Sequence, residues 1–125
     1  MKINFKIEII FAIGLTFLLL GLCVNKFFAL KTQARQGLNE KSFTAVQEAL
    51  SVYRGDNEGR CPDTLEELVP FYLEKIPSFY NSKGQMSNAV KNTGTTDAFD
   101  KETAWLYVND KTSPDYCTVF KNEKY

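Results

Sequence analysis

The sequence predicts an α+β protein in which one long N-terminal membrane-spanning helix packs on a small antiparallel sheet. Three observations predict this fold. Residues 9–24 contain no charged side chain, and with the apolar residues on either side they approach the ~20 residues that a bilayer core requires. A helical pattern then continues to Arg54 without a proline. Two strand-like runs near the end of the chain, 105–108 and 117–120, are separated by turn-forming residues.

The apolar run is compatible with a cleaved signal, a lipoprotein or a retained helix. A cleaved signal needs a small-residue site, and residues 21–26 contain no A-x-A pattern. A lipoprotein would be modified at Cys23, but Leu22 stands where a small residue is needed. The chain continues as helix rather than as a flexible linker, which favours a retained helix. The predicted units are an apolar membrane or filament-core helix, 1–30, and a head that includes the amphipathic helix half, 31–125.

The second half of the predicted helix is amphipathic, because its apolar residues recur at intervals of three and four. The predicted apolar face consists of Leu38, Ala45, Val46, Ala49, Val52 and Tyr53. Phe43 falls near the polar face, where it is a candidate for contact between subunits. Gly55 and the two polar residues after it form a stop signal for the helix.

The sequence has three cysteines and no histidine. Cys23 lies in the apolar run and is expected to act as a small apolar side chain. Cys61 and Cys117 lie in the polar part, where an oxidising compartment would join them; two buried thiols are the alternative. The chain-entropy model gives a loop of this length about 4 kcal/mol of stabilisation. A disulfide favours a head outside the cytoplasm, whereas basic residues on both sides of the apolar run leave its orientation open.

Residues 61–70 predict a short helix after the long one. Asp63 and Thr64 each precede a glutamate by three residues, which is a capping pattern. The apolar face of this helix consists of Leu65, Leu68 and Val69. The polar stretch that follows, 81–103, is either an exposed functional loop or hides a short strand near 85–90.

The two strand-like runs are expected to pair as a hairpin. Cys117 would then tie the second strand to the segment that leaves the long helix. Four aromatic side chains belong to this hairpin: Trp105, Tyr107, Tyr116 and Phe120. Aromatic residues at alternating strand positions are expected to be core, and a recognition platform is the alternative.

Composition indicates that the chain is not an enzyme and does not bind nucleic acid. From Lys31 onward there are 12 basic and 14 acidic residues, and no basic patch stands out. The absence of histidine removes the commonest acid–base catalyst and metal ligand, and no spacing singles out a nucleophile with its base. Asp97, Asp100 and Glu102 are oxygen-bearing candidates for calcium, but they match no complete motif, so a solvated acidic loop without a cofactor is expected.

The order of these parts resembles that of the type IV pilins and the type II secretion pseudopilins. The resemblance is carried by four features: an apolar helix with an early glutamate in Phe5-Lys6-Ile7-Glu8-Ile9-Ile10, its amphipathic continuation, the segment 59–77 (GRCPDTLEELVPFYLEKIP), and a C-terminal hairpin with Trp and Tyr. It covers most of the chain and is close at the residue level over 61–77. The predicted fold is therefore pilin-like.

The resemblance implies a subunit of a filament, held first in the inner membrane with a periplasmic head. Its partners would be copies of itself and other pilin-like subunits. Glu8 would meet the N-terminal amine of a neighbour, in an assembly segment that also holds Phe5. Apart from the resemblance, the small residues Gly14 and Gly21, seven positions apart, are candidates for close helix packing, and ordinary lipid-facing glycines are the alternative.

The resemblance also implies N-terminal processing after a glycine, followed by methylation. Asn4 stands before Phe5 instead of a glycine, and Lys6 is unusual for the family. The alternative function is therefore a membrane-anchored interaction domain that does not polymerise and presents residues 81–103 to a partner.

Overall fold

The computed structural model describes residues 2–122, with side chains from residue 4 to residue 122. Its contacts divide the chain into two compact units, Met1–Ala34, here called the apolar unit, and Arg35–Tyr125, here called the head. The elements are helix α1 (Lys2–Asp56), a 3₁₀ helix (Leu65–Leu68) and the strands β1 (Phe79–Tyr80), β2 (Met86–Ser87), β3 (Val90–Thr93), β4 (Trp105–Val108) and β5 (Thr118–Lys121). The predicted long helix is thus confirmed, and it ends within two residues of the expected position.

The strands form two small sheets. β1 and β2 pair antiparallel, with Phe79 opposite Ser87 and Tyr80 opposite Met86. The second sheet has the order β3-β4-β5, in which β4 and β5 are antiparallel, as the predicted hairpin requires. β3 and β4, however, run parallel. The expected antiparallel sheet is therefore confirmed for the pairs β1–β2 and β4–β5 but not for β3–β4, because the chain returns through residues 94–104 before it enters β4 in the same direction as β3.

Strand positions follow the sequence-based expectation closely. The stretch 85–90 contains β2 and the first residue of β3, so the hidden strand in the polar segment is confirmed. β5 begins at Thr118 rather than at Cys117. The reason is a backbone turn: Cys117 has a φ of 66°, in the left-handed region, which is incompatible with an extended strand.

The core of the head is built around β4. All four residues of this strand are buried, as expected for the central strand of a sheet that is covered on both faces. Trp105 and Tyr107 are fully buried, so the core interpretation of these aromatics is confirmed, whereas Tyr116 and Phe120 are half-buried. The residues of α1 that are buried in this core are Val46, Ala49 and Leu50.

The apolar stripe of α1 is rotated relative to the predicted one. Leu38 and Val52 are 50% and 54% exposed, although the sequence pattern placed them on the packed face. Phe43 was placed near the polar face, and this was wrong: its ring stacks on Trp105 with the centroids 6.3 Å apart. Phe43 and Leu50 lie seven residues apart, nearly two helical turns, and these bulky side chains define the packed face.

The 3₁₀ helix is capped from the sheet rather than by its own side chains. Thr64 is the N-cap residue, but its side chain makes no capping hydrogen bond. Instead, the Oδ1 atom of Asn92 in β3 accepts from the backbone N–H of Leu65, and its Nδ2 atom donates to Glu66. The predicted local capping pattern is thus replaced by a tertiary contact that also fixes this segment on the sheet.

Candidate assembly surface

The apolar unit presents an uninterrupted exposed surface. Every side chain from residue 4 to residue 34 is exposed, and α1 is long and apolar enough to cross a membrane. The large side chains are more than half exposed at both ends of the run, with 67% for Phe5 and 63% for Leu30. In water such a surface is costly, because each Å² of apolar area removed from water is worth about 25 cal/mol. The unit therefore requires lipid or other apolar helices as its surroundings.

The two threonine hydroxyls inside this run bond within the helix. The Thr16 hydroxyl donates to the carbonyl of Ala12 at 2.8 Å, and the Thr32 hydroxyl donates to the carbonyl of Phe28 at 3.2 Å. Such bonds to the preceding turn are the way in which Ser and Thr remain compatible with a hydrocarbon environment. Cys23 is exposed in the same run and is not part of a disulfide.

The predicted assembly residues lie in the first turns of this surface. Gly14 opens a shallow apolar notch, and an added Cβ there would meet no atom within 4 Å. The notch is lined by Ile7, Ile10, Phe11, Gly14, Leu15 and Leu18. Glu8 is exposed and does not line the notch; it lies seven residues before Leu15, on the side of the helix next to it. Small residues at such a position allow the backbone of a second helix to approach closely.

The predicted disulfide is confirmed in the head. Cys61 and Cys117 are bonded, with their Cα atoms 5.9 Å apart and a sequence separation of 56. Polar contacts join the same segment to the sheet: the Tyr107 hydroxyl donates to the carbonyl of Pro62 at 2.7 Å, and Asn109 donates to the carbonyl of Asp63 at 2.9 Å. Burial raises the pKa of the Tyr107 hydroxyl, which keeps it protonated as a donor.

The three calcium candidates are not brought together. Within residues 4–122 no group of three or more His, Cys, Asp or Glu side chains is arranged to hold a metal ion. Asp97, Asp100 and Glu102 are exposed. The carboxylate of Asp100 instead organises its own loop, because it accepts from the Thr103 hydroxyl at 2.7 Å and the Thr103 N–H at 2.8 Å, and it pairs with Lys91 at 3.1 Å.

Asp100 gives the head a pH dependence. The two bonds from Thr103, followed by the ammonium of Lys91, hold the pKa of this carboxyl well below its usual range. A lowered folded-state pKa contributes stability above the usual aspartate pKa of about 3.9, and this contribution is lost as the pH falls toward the folded-state value. We therefore expect Asp100→Asn to be less stable than the wild type at pH 7, with a difference that shrinks below pH ~4.

Urea denaturation at pH 7 and at pH 3 checks this expectation. Asp97→Asn removes an exposed carboxylate from the same loop and is the matched control, with little effect expected at either pH. An Asp100→Asn difference that stays constant between the two pH values would contradict the role given to the charge.

A second group of contacts, which the sequence pattern did not reveal, fixes the β1–β2 hairpin to α1. The side-chain amide of Asn39 donates to the carbonyl of Tyr80 and accepts from its N–H, both at 2.8 Å. The guanidinium of Arg35 lies 5.7 Å from the centre of the Tyr80 ring and also contacts Gly84. These contacts join residues 41 or more positions apart, so no local pattern could have indicated them.

Comparison with known proteins gives no relative: no protein-family model, curated protein or solved structure matches the chain.

Proposed function

We propose that the chain is a pilin-like structural subunit, which is anchored in a membrane by the apolar unit and assembles into a type IV pilus or type II secretion pseudopilus filament. The observation that carries the proposal is the apolar surface of residues 4–30, exposed along its whole length while the head buries a core of its own. Such a helix can exchange lipid for neighbouring helices at little cost, because lipid tails are as apolar as leucine. Close packing at the Gly14 notch then decides association. The role is structural and involves no cofactor.

The disulfide supports the proposed location of the head. Disulfides persist in oxidising environments such as the periplasm and the cell exterior, and are rare in the cytosol. Since Cys61 and Cys117 are joined, we place the head on the periplasmic side of an inner membrane, from which a filament would grow outward.

Glu8 is the residue to which we assign the specific contact between subunits. In the sequence no charged side chain separates it from Lys26, so it stands at the border of a hydrocarbon phase. A carboxylate at such a border needs a cationic partner or access to water. The N-terminal amine of a neighbouring copy would provide that partner inside a filament.

Replacing Glu8 by alanine is expected to lower the filament yield severalfold while the head stays folded. The reason is that the variant keeps the apolar surface but loses the group that pairs with a neighbour. The measurement is the amount of the polypeptide in sheared filaments, seen by electron microscopy and quantified by mass spectrometry.

Glu48→Ala is the matched control, because Glu48 is an exposed carboxylate of α1 within the head. Its yield should equal that of the wild type. Equal yields for Glu8→Ala and the wild type would contradict the role of Glu8.

A second candidate function is a membrane-anchored interaction domain that does not polymerise. The observation that favours it is Asn4 before Phe5, where the processing of the type IV pilins that the sequence resembles needs a glycine. The mass of the N-terminal peptide separates the two functions. Full-length protein confined to the membrane fraction supports the anchored domain, and its presence in filaments, trimmed or full-length, supports the structural subunit.

A further inference from the structure

Acidic residues are unevenly distributed along the sequence, and within the head the fold brings the end of one acid-free stretch, residues 35–39, against a second one. No Asp or Glu occurs between Glu8 and Glu40, where the charged residues are Lys26, Lys31 and Arg35. A second stretch without acidic residues lies between Glu74 and Asp97. The contacts of Asn39 and Arg35 with Tyr80 place the start of the head against this second stretch. We call residues 35–39 of α1 together with residues 80–86 the hairpin end.

Four hydrogen bonds close the turn of the hairpin end. The Oδ1 atom of Asn81 accepts from the N–H groups of Lys83 at 3.0 Å and of Gln85 at 2.9 Å. The backbone of Asn81 accepts from Gly84 at 2.9 Å and donates to Gln85 at 3.0 Å. Gly84 has a φ of 77°, which a residue with a Cβ adopts only with strain. Lys83 is therefore held on a fixed turn, with its side chain exposed.

Exposed apolar side chains accompany these cations. Met86 is 59% exposed and lies directly opposite Tyr80 in the ladder, so the two side chains share a face of the hairpin. Leu38 is 50% exposed and lies one turn after Arg35 on α1. A surface that combines basic, aromatic and exposed apolar side chains is typical of segments that lie in the membrane interface.

Chain connectivity limits how far this surface can be from the membrane. Arg35 follows Leu30, the last residue of the predicted apolar run, by five positions. Five residues span at most ~18 Å even when fully extended, which is less than half the ~40 Å thickness of a bilayer with its headgroups. Arg35 is therefore tethered within ~18 Å of the end of the apolar run.

We propose that the hairpin end is a lipid contact, in which Lys83 and Arg35 bind the phosphates of anionic phospholipids while Leu38 and Met86 enter the interface. The proposal rests on the membrane anchoring of the proposed function but requires no filament. It assigns to the head a role before assembly: attraction to anionic lipid fixes the orientation of the head on the membrane surface. This attraction acts only within about a Debye length, ~8 Å at physiological salt, so high salt is expected to weaken it.

The test uses the full chain with Cys23→Ala and Ser82→Cys, labelled with a fluorophore at the exposed position 82. Thiol titration first confirms that one cysteine is available, so that the Cys61–Cys117 bond is intact. The protein is reconstituted in vesicles of phosphatidylcholine, with or without phosphatidylglycerol, that contain a headgroup-attached quencher. We expect quenching to rise severalfold with phosphatidylglycerol and to fall again in high salt.

Lys83→Glu is expected to weaken the contact on the order of tenfold, since each basic residue near an anionic surface contributes about a factor of five. Lys101→Glu makes the same charge change elsewhere on the head and should leave quenching unchanged. Equal quenching in both lipid compositions, or equal effects of the two variants, would overturn the lipid contact. Self-quenching that depends on protein density would overturn the lipid contact and show that the hairpin end binds a second copy of the chain. Failure of the protein to float with the vesicles would instead refute the membrane anchoring on which the proposal rests.

Discussion

Loss of the Cys61–Cys117 disulfide is expected to unfold the head or leave it barely stable. The bond closes a loop across 56 positions, and the chain-entropy model assigns such a loop about 4 kcal/mol. Single domains are stable by only about 5–15 kcal/mol, so this loss is a large part of the total. A head of this size buries a modest core and depends more than a larger domain does on a covalent link.

The measurement is urea denaturation of the Cys61→Ser, Cys117→Ser double variant, reconstituted as the full chain, with the emission of Trp105 as the probe. Trp105 is the sole tryptophan of the sequence, and it is fully buried, so its emission reports on the core directly. Cys23→Ala is the control, because it removes a thiol without removing a bond. A double variant with the midpoint of the wild type would show that the polar contacts of this segment hold it without the disulfide.

The features that the sequence predicted correctly are those that a local pattern determines. A long run without charge or proline can form only a helix when it must satisfy its backbone in lipid, and α1 does so. Cys61 and Cys117 were the two cysteines of the polar part, which left one pairing. Strand β4 was recognisable because alternating aromatic and aliphatic residues are bounded by turn residues on the C-terminal side.

The features that the sequence did not predict depend on contacts between distant residues. The parallel pairing of β3 with β4 follows from the course of residues 94–104, which Asn122 fixes through bonds to the carbonyls of Asp100 and Thr103. Phe43 was assigned to the polar side of α1 although its spacing to Val46 and Leu50 is compatible with the packed face, and its stacking partner Trp105 lies too far along the sequence for a local pattern to contain it. The cap of the 3₁₀ helix is a further example: Asn92, a distant residue, accepts from the N–H of Leu65, where the sequence predicted capping by Asp63 or Thr64.

The same distinction applies to the candidate functional surfaces. The apolar surface with Glu8 and Gly14 is visible in the sequence, because composition and helical spacing are sufficient to find it. The hairpin end is not visible there, because Arg35 and Lys83 are 48 positions apart in the sequence, and the contacts of Arg35 with Tyr80 and Gly84 bring the two segments together. A surface built from two distant segments requires the tertiary fold before it can be recognised.

Trp105→Ala is expected to cost the head about 3–5 kcal/mol, the range for removal of a large buried aromatic. Its ring lies between those of Phe43 and Phe79, with centroids 6.3 Å and 5.9 Å away, and so joins α1 to both sheets. Its indole N–H donates to the carbonyl of Pro77 at 2.7 Å. The variant therefore loses the packing at the centre of the core and also leaves a polar group without its donor.

Limited proteolysis across a urea series measures this loss without relying on tryptophan emission. Trp105→Phe keeps an aromatic ring but removes the N–H, and we expect it to fall between the wild type and the alanine variant. Phe71→Ala is the surface control, since Phe71 is 89% exposed and its removal should change stability by less than about 0.5 kcal/mol. If Trp105→Ala were no less stable than Phe71→Ala, the contact between Phe43 and β4 could not be what holds α1 on the sheet. The head would then depend chiefly on the disulfide and on the Asn39 contacts with the hairpin.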